Sequence, residues 1–259
     1  TASLSLRLAM IAPRLKAATI GWQHNCYDGY LHVKPVVFWQ QENLLQQYLP
    51  NLDRYIVLSD YDKRDYMEKL GIDCEVKINP RSFVSEKKCD VKSKCFLMAT
   101  RFVYAKGLDL MMESFEEFCK EDSEWELDII GDGDLFDQIR ADAKKRHLEK
   151  RVHFVGYTNE PEKYYLNSSV FLLPSRWEGW PMVIMEAFEF GLPVIAYHMG
   201  AMDLIIDDGK TGFLPEAFDP HKFAQAMLKL AHDPGLRAEM SENAIRKSED
   251  FSVEKSAEA

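Results

Sequence analysis

Residues 95–119 read CFLMATRFVYAKGLDLMMESFEEFC. The first five are apolar without alternation, as in a strand covered on both faces. The last twelve keep Leu108, Met111, Met112, Phe115, Phe118 and Cys119 on one helical face. The same unit recurs outward from this stretch. ELDII (126–130) precedes DLFDQIRADAKKRHL (134–148), VHFV (152–155) precedes EPEKYYL (160–166), and VFLL (170–173) precedes MVIMEAFEF (182–190) and then PVIAY (193–197). Asp219-Pro220 opens PHKFAQAMLKLAH (220–232), and a helical tail follows Pro234. Buried parallel strands alternating with amphipathic helices predict one doubly wound α/β domain over residues 92–259. Upstream, TIGWQH, RYIVLS and CEVKINP read as strands, with helical stretches at Val37–Tyr48 and Tyr61–Leu70. This predicts a partial β/α domain over 1–85, joined through the polar segment NPRSFVSEKKCDVKSK (79–94).

Composition narrows the function. Residues 1–90 carry 12 Lys+Arg against 11 Asp+Glu, so of the net charge of -10 the rest of the chain carries -11. That argues against a nucleic-acid partner. Cys26, Cys74, Cys89, Cys95 and Cys119 show no CxxC spacing and read as reduced thiols of a cytoplasmic protein. No run of 18 apolar residues is present. The opening TASLSLRLAMIAPRLK is interrupted by Arg7, Pro13 and Arg14, unlike a signal peptide, and without Met it reads as a start inside a longer protein.

PSRWEGWPMVIMEAFEFGLPVIAY (174–197) sets Glu178 and Glu186 eight residues apart, the second inside an apolar helix opened by Pro181 and closed by Gly191. Helical rise alone would separate them by about 12 Å, beyond the roughly 5–9.5 Å of paired glycosidase carboxylates. Two acceptors so spaced suit the two ends of one polyhydroxylated ligand. The amides of Gly179, Trp180 and Met182 suit an anion. The plainer alternative is a dipole-complementing Glu178 and a salt-bridged Glu186.

In TRFVYAKG (100–107), Arg101 and Lys106 follow a strand at the sheet's C-terminal edge. A planar fork beside a point charge suits a diphosphate, though both residues also fit as solvated loop charges. GDGD (131–134) lacks the third glycine of a dinucleotide fingerprint, with Phe136 in its place, and no ribose-binding acid follows. Asp132 and Asp134 have no accompanying ligand cluster, so no metal is expected. His24, at the end of TIGWQH, is open to a structural or a functional reading.

Together these segments resemble the retaining glycosyltransferases of family 4, the group 1 glycosyltransferases. ATRFVYAKGLDLMMESF looks like the family's Gly/Ala-x-Arg…Lys-Gly segment, and IIGDGDLFDQI like its Gly-Asp-Gly turn, with GDGD for the commoner GDGP. PSRWEGWPMVIMEAFEF resembles its E-x7-E signature, and GAMDLIIDDGKTGFL its glycine-rich segment before the last strand. The likeness runs through residues 92–230, and residues 20–85 resemble the end of the family's N-terminal domain.

The resemblance implies a GT-B fold of two Rossmann-like domains. It implies a nucleotide-sugar donor, UDP- or GDP-linked, with no further cofactor and no metal. Arg101 and Lys106 would hold the diphosphate, Glu178 the sugar hydroxyls and Glu186 the ribose diol. Backbone around Tyr157 would hold the base, backbone of Trp180, Pro181, Met182 and Val183 the phosphate and sugar, and His24 would face the acceptor. The implied reaction is retaining transfer to a glycan or lipid-linked acceptor, in the cytoplasm or at the membrane's cytoplasmic face through the N-terminal domain. Alternatives are a GT-B-like nucleotide-sugar epimerase and a non-catalytic nucleotide-sugar-binding subunit. The family's glycine-rich N-terminal loop and early strands have no counterpart here, so this chain alone is expected to bind nucleotide without transferring sugar.

Overall fold

The strand–helix pattern folds into two parallel sheets. The computed structural model describes residues 2–31 and 41–258. Two units separate by their contacts: Thr1–Pro80 with Trp177–Pro181 and Val253–Ala259, and Arg81–Arg176 with Met182–Ser252. The sequence reading placed the division at 86–91. It gave no sign that a five-residue loop and the C-terminus would cluster with the first unit.

The first unit starts with helix α1 (Ala2–Ile11), a region read from sequence only as unlike a signal peptide. Then come β1 (Ile20–Trp22), α2 (Tyr27–Leu31), α3 (Glu42–Tyr48), β2 (Arg54–Val57), α4 (Asp60–Asp65) and β3 (Glu75–Val76). The strands lie in the order β1-β2-β3, all parallel. Of the helix expected over 37–48, residues 37–40 lie outside the described residues. The Ser59 side chain caps α4 by accepting from the Asp62 N–H, and Asp62 in turn accepts from the Tyr27 N–H at 2.9 Å. Leu6, Tyr27, Leu45, Val57 and Tyr66 form the core.

The second unit alternates β4 (Cys95–Ala99), α5 (Leu108–Phe118), β5 (Glu126–Ile130), α6 (Phe136–Lys145), β6 (Val152–Gly156), α7 (Glu162–Asn167), β7 (Val170–Leu173), α8 (Met182–Glu189), β8 (Val194–Ala196), α9 (Met202–Ile205) and β9 (Gly212–Phe213). Two long helices follow, α10 (Pro220–His232) and α11 (Pro234–Ser248), capped by Asp219 and Asp233, each before a proline. α12 (Val253–Glu258), which comes next in the chain, clusters with the first unit. The sheet order is β6-β5-β4-β7-β8-β9, with every described pairing parallel. Phe96, Met98, Leu127 and Ile129 of the central strands pack with Met111, Phe115, Phe118 and Trp125. Among the described residues no helix is long and apolar enough to cross a membrane.

The plainer alternative, a salt-bridged Glu186, changes here. The carboxylate fully buried in the apolar run of α8 is Glu189, 3% exposed, while Glu186 is half-buried. The salt bridges also belong to Glu189, not to Glu186. Arg81 pairs with it at 2.8 Å, Lys88 at 3.3 Å, and the Ser85 N–H donates to it at 2.8 Å. The segment read as a linker is therefore laid against α8. Its backbone is tied on by Cys89 N–H to Phe190 O and Asp90 N–H to Leu166 O. Three residues along a helix turn the side chain by about 60°, enough to move one carboxylate under the segment and leave the other at its edge.

Burial alone would raise the Glu189 carboxyl, but the Ser85 N–H and the charges of Lys88 and Arg81 outweigh it and hold it below its ordinary 4.5. A carboxyl lowered by folding contributes stability above its unfolded pKa, and that stability is lost as pH falls through the folded value. Glu189→Gln should lower stability at pH 7, because removing one partner of a buried pair typically costs about 3–5 kcal/mol. It should also flatten the acid dependence below pH 4.5. Urea melts across pH check this; a variant with the wild-type acid profile contradicts it.

Candidate functional site

β4 and β7 are neighbours at the centre of the six-stranded sheet, yet the chain leaves β4 toward β5 and leaves β7 toward β8. Loops diverging from such a reversal leave a crevice outside the carboxyl ends of the strands, where open α/β sheets bind ligands. The loop after β4 carries Arg101 and Lys106. The loop after β7 starts with Pro174–Arg176.

Backbone contact locks these two loops together. Gly107 has φ +64°, and a Cβ there would lie 1.9 Å from the Pro174 carbonyl oxygen. Arg176 completes the lock. Its N–H donates to Ala105 O at 2.7 Å, its Nη1 to Tyr104 O at 2.9 Å and to Asp109 Oδ1 at 2.8 Å, and its guanidinium lies 4.0 Å from the Tyr104 ring centroid. Burial would raise the Asp109 carboxyl, but Arg176 outweighs it and holds it below the usual carboxylate range. The turn after β5 braces the other side of the loop, where Phe102 N–H donates to Asp132 O and Leu135 N–H to Phe102 O. A Cβ on Gly131 would meet Thr100 O at 1.8 Å, so GDGD lets two loops run side by side. The Asp132 carboxylate is used internally, accepting the Gly133 N–H. Arg101 itself is exposed and, among the described residues, makes no side-chain hydrogen bond or ion pair. Lys106 is half-buried in the braced turn.

Glu186 projects from α8 into a cavity of about 890 Å³ lined by Phe83, Val84, Pro161, Tyr165 and Phe190 among others. Its Oε2 accepts from the Tyr165 hydroxyl at 3.0 Å. Tyr157, after β6, is 77% exposed and not part of this lining. Met182 and Val183, half-buried, open α8.

His24, Glu178, Trp180 and Pro181 belong to the first unit. There the Trp177–Pro181 loop packs on the turn after β1. A Cβ on Gly179 would lie 2.8 Å from His24 O, and one on Gly29 would lie 2.5 Å from Trp177 Cδ1. Two residues singled out separately, His24 and Glu178, are thus set on touching segments. His24 is exposed and stacks on Trp22 with ring centroids 5.6 Å apart. Trp180 and Pro181 are buried and Glu178 half-buried. Cys26 lies between these segments. Burial, reinforced by Asp62, Asp28 and Glu178, pushes its thiol up to about 12, so it is no nucleophile. The described cysteines are all free thiols, and no group of three or more His, Cys, Asp or Glu among the described residues is placed to hold a metal.

Sequence reasoning missed Arg176, Asp109 and Tyr165. An arginine next to Pro174-Ser175 was visible as a charge beside the motif, but nothing local told of Asp109, and a tyrosine in a helix carries no signal.

The family described as Glycosyl transferases group 1 matches residues 82–247. An uncharacterized glycosyltransferase of Haemophilus influenzae is 29% identical over 206 residues, covering 78% of this chain and 58% of that protein. A UDP-Gal:alpha-D-GlcNAc-diphosphoundecaprenol alpha-1,3-galactosyltransferase of Escherichia coli is 28% identical over 213 residues, covering 75% and 55%. Among solved structures, S. aureus TarM aligns with a TM-score of 0.83 at 24% identity, over 93% of this chain and 50% of TarM. The α/β fold of GT-B type expected from sequence is therefore present, and the chain spans about half the length of these relatives.

Gly107→Ala should cost more than about 2 kcal/mol, since it combines a strained φ with a clash against backbone that cannot swing away. Thermal melts followed by circular dichroism check this. A variant as stable as wild type would mean that the two loops are not locked as described.

Proposed function

Because the chain belongs to the group 1 glycosyl transferases, we propose that it binds the donor for a retaining transfer of a sugar from a nucleotide-sugar to a glycan or lipid-linked acceptor. The observation that carries this reading is the braced loop at the strand reversal, which presents the exposed Arg101 and the half-buried Lys106 from one turn. The E. coli relative is named for a UDP-galactose donor and a diphosphoundecaprenol acceptor, which supports both substrate classes.

The chemistry follows from charge. Cleaving the bond from the anomeric carbon to phosphate leaves a diphosphate with added negative charge. Pre-set cations stabilise that charge more in the transition state than in the ground state. Arg101 and Lys106 hold the diphosphate, and as side-chain cations they make a divalent ion dispensable. Glu186 accepts from the ribose diol and Glu178 from the sugar hydroxyls. Backbone near Tyr157 meets the base, and backbone from Trp180 to Val183 meets the phosphate and sugar. His24 faces the acceptor. Leaving group and acceptor use the same face of the sugar, without a covalent enzyme intermediate. A lipid-linked acceptor would place the protein at the cytoplasmic face of a membrane, touching it peripherally through the first unit.

Calorimetric titration of the chain with UDP, GDP and their sugars tests these roles. Arg101→Ala and Lys106→Ala should each weaken nucleoside diphosphate by roughly ten- to a hundredfold, the worth of a charge-assisted hydrogen bond. Melting temperature should barely change for the exposed Arg101. Glu178→Gln should weaken only the intact nucleotide-sugar. Unchanged affinity in both cation variants would sink the diphosphate assignment, and loss of donor binding in EDTA would sink the metal-independent reading.

A further inference from the structure

Glu186 is held in a way that its role as ribose acceptor does not require. Tyr165 stands on α7, 2% exposed, with its ring stacked between Phe171 at 5.9 Å and Phe190 at 5.0 Å. A phenylalanine would fill this slot as well, so the hydroxyl is not there for packing. That hydroxyl donates to Glu186 Oε2 at 3.0 Å. Burial first, then the Glu186 charge, raise it well above its ordinary 10.0, so it stays protonated and remains a donor. Among the described residues Tyr165 is the one side-chain partner of Glu186, and Oε1 has none. A glutamate has several rotatable bonds, and an untethered one loses much of that freedom when it grips a ligand. Here one oxygen is tied to a rigid ring, at the lining of the cavity, before any ligand arrives.

We propose that Tyr165 is a positioning residue. Its hydroxyl fixes Oε2 of Glu186 so that Oε1 is kept for the vicinal hydroxyls of a ribose, which makes the site selective for ribonucleotides over nucleotides lacking those hydroxyls. The proposal rests on the reading of Glu186 as the ribose acceptor. A single carboxylate oxygen has two lone pairs and can accept from both hydroxyls. Preorganisation raises affinity by lowering the ordering cost paid on binding, so losing the tether should weaken only ligands that use Oε1.

The test is titration of the whole chain as wild type, Tyr165→Phe and Glu186→Gln, with UDP and GDP and with their 2′,3′-dideoxy forms. Wild type should prefer the ribo form by roughly tenfold or more. Glu186→Gln should lose most of that preference. Tyr165→Phe should bind the dideoxy form within about twofold of wild type while its ribo preference falls by roughly three- to tenfold, with an unchanged melting temperature. A Tyr165→Phe protein that keeps the full ribo preference overturns the positioning role. So does one that weakens both forms equally, which would mark a purely structural hydroxyl. A wild type that ignores the diol, or binds neither form, overturns the ribose reading of Glu186 and the proposal with it.

Discussion

Where β4 and β7 run side by side, the backbone of the loop after one strand touches the backbone of the loop after the other. The contact of Gly107 with the Pro174 carbonyl leaves no room for a side chain, and much of the second unit is arranged around it. α5 starts at once after Gly107, so the glycine's left-handed conformation sets the direction in which that helix leaves the sheet. Arg176 then ties the second loop to the first through two carbonyls and Asp109. What results is a short turn braced from both sides, with Lys106 in it and Arg101 on its open edge. Arg101, held by its backbone and making no side-chain hydrogen bond or ion pair among the described residues, loses little when it meets an anion, and that is the physical basis of the proposed diphosphate site.

A similar logic runs along α8. Its two glutamates are sixty degrees apart by helical geometry and have opposite assignments. Glu189 is buried, paired with Arg81 and Lys88, and holds residues 81–90 against the unit. Glu186 is half-buried, its carboxylate bonded among the described residues through Oε2, and it borders a cavity. The same helix thus uses one carboxylate to fasten the chain and keeps the other available.

Strands were legible because the second unit buries both faces of its sheet: CFLMA, ELDII and VFLL appear as strands over the very residues expected. Helix ends marked by Asp-Pro, as at Asp219-Pro220, were legible for the same local reason. Arg101 and Lys106 could be placed on a loop after a strand because the strand before them is legible, and that sheet edge is what makes them candidates. What stayed hidden depends on pairing across the fold. Which of Glu186 and Glu189 is buried turns on where residues 81–90 lie, and sequence placed those residues in a linker. Tyr165 meets Glu186 only because α7 packs beside α8, and Asp109 matters only through an arginine 67 residues away. The membership of Trp177–Pro181 in the first unit follows from two glycines, Gly29 and Gly179, that allow close packing; neither reads as a signal in isolation. α1 went unread because Arg7 breaks its apolar run, although a helix needs only one apolar face.

The most direct measurement is a crystal structure of the chain soaked with a nucleoside diphosphate that stabilises it in solution. The expected result has the diphosphate oxygens within hydrogen-bond distance of Arg101 and Lys106 and the ribose hydroxyls on Glu186 Oε1, with Tyr165 still bonded to Oε2. Density for the nucleotide away from the β4 loop, or on that loop but with Glu186 untouched, would contradict the donor site described here.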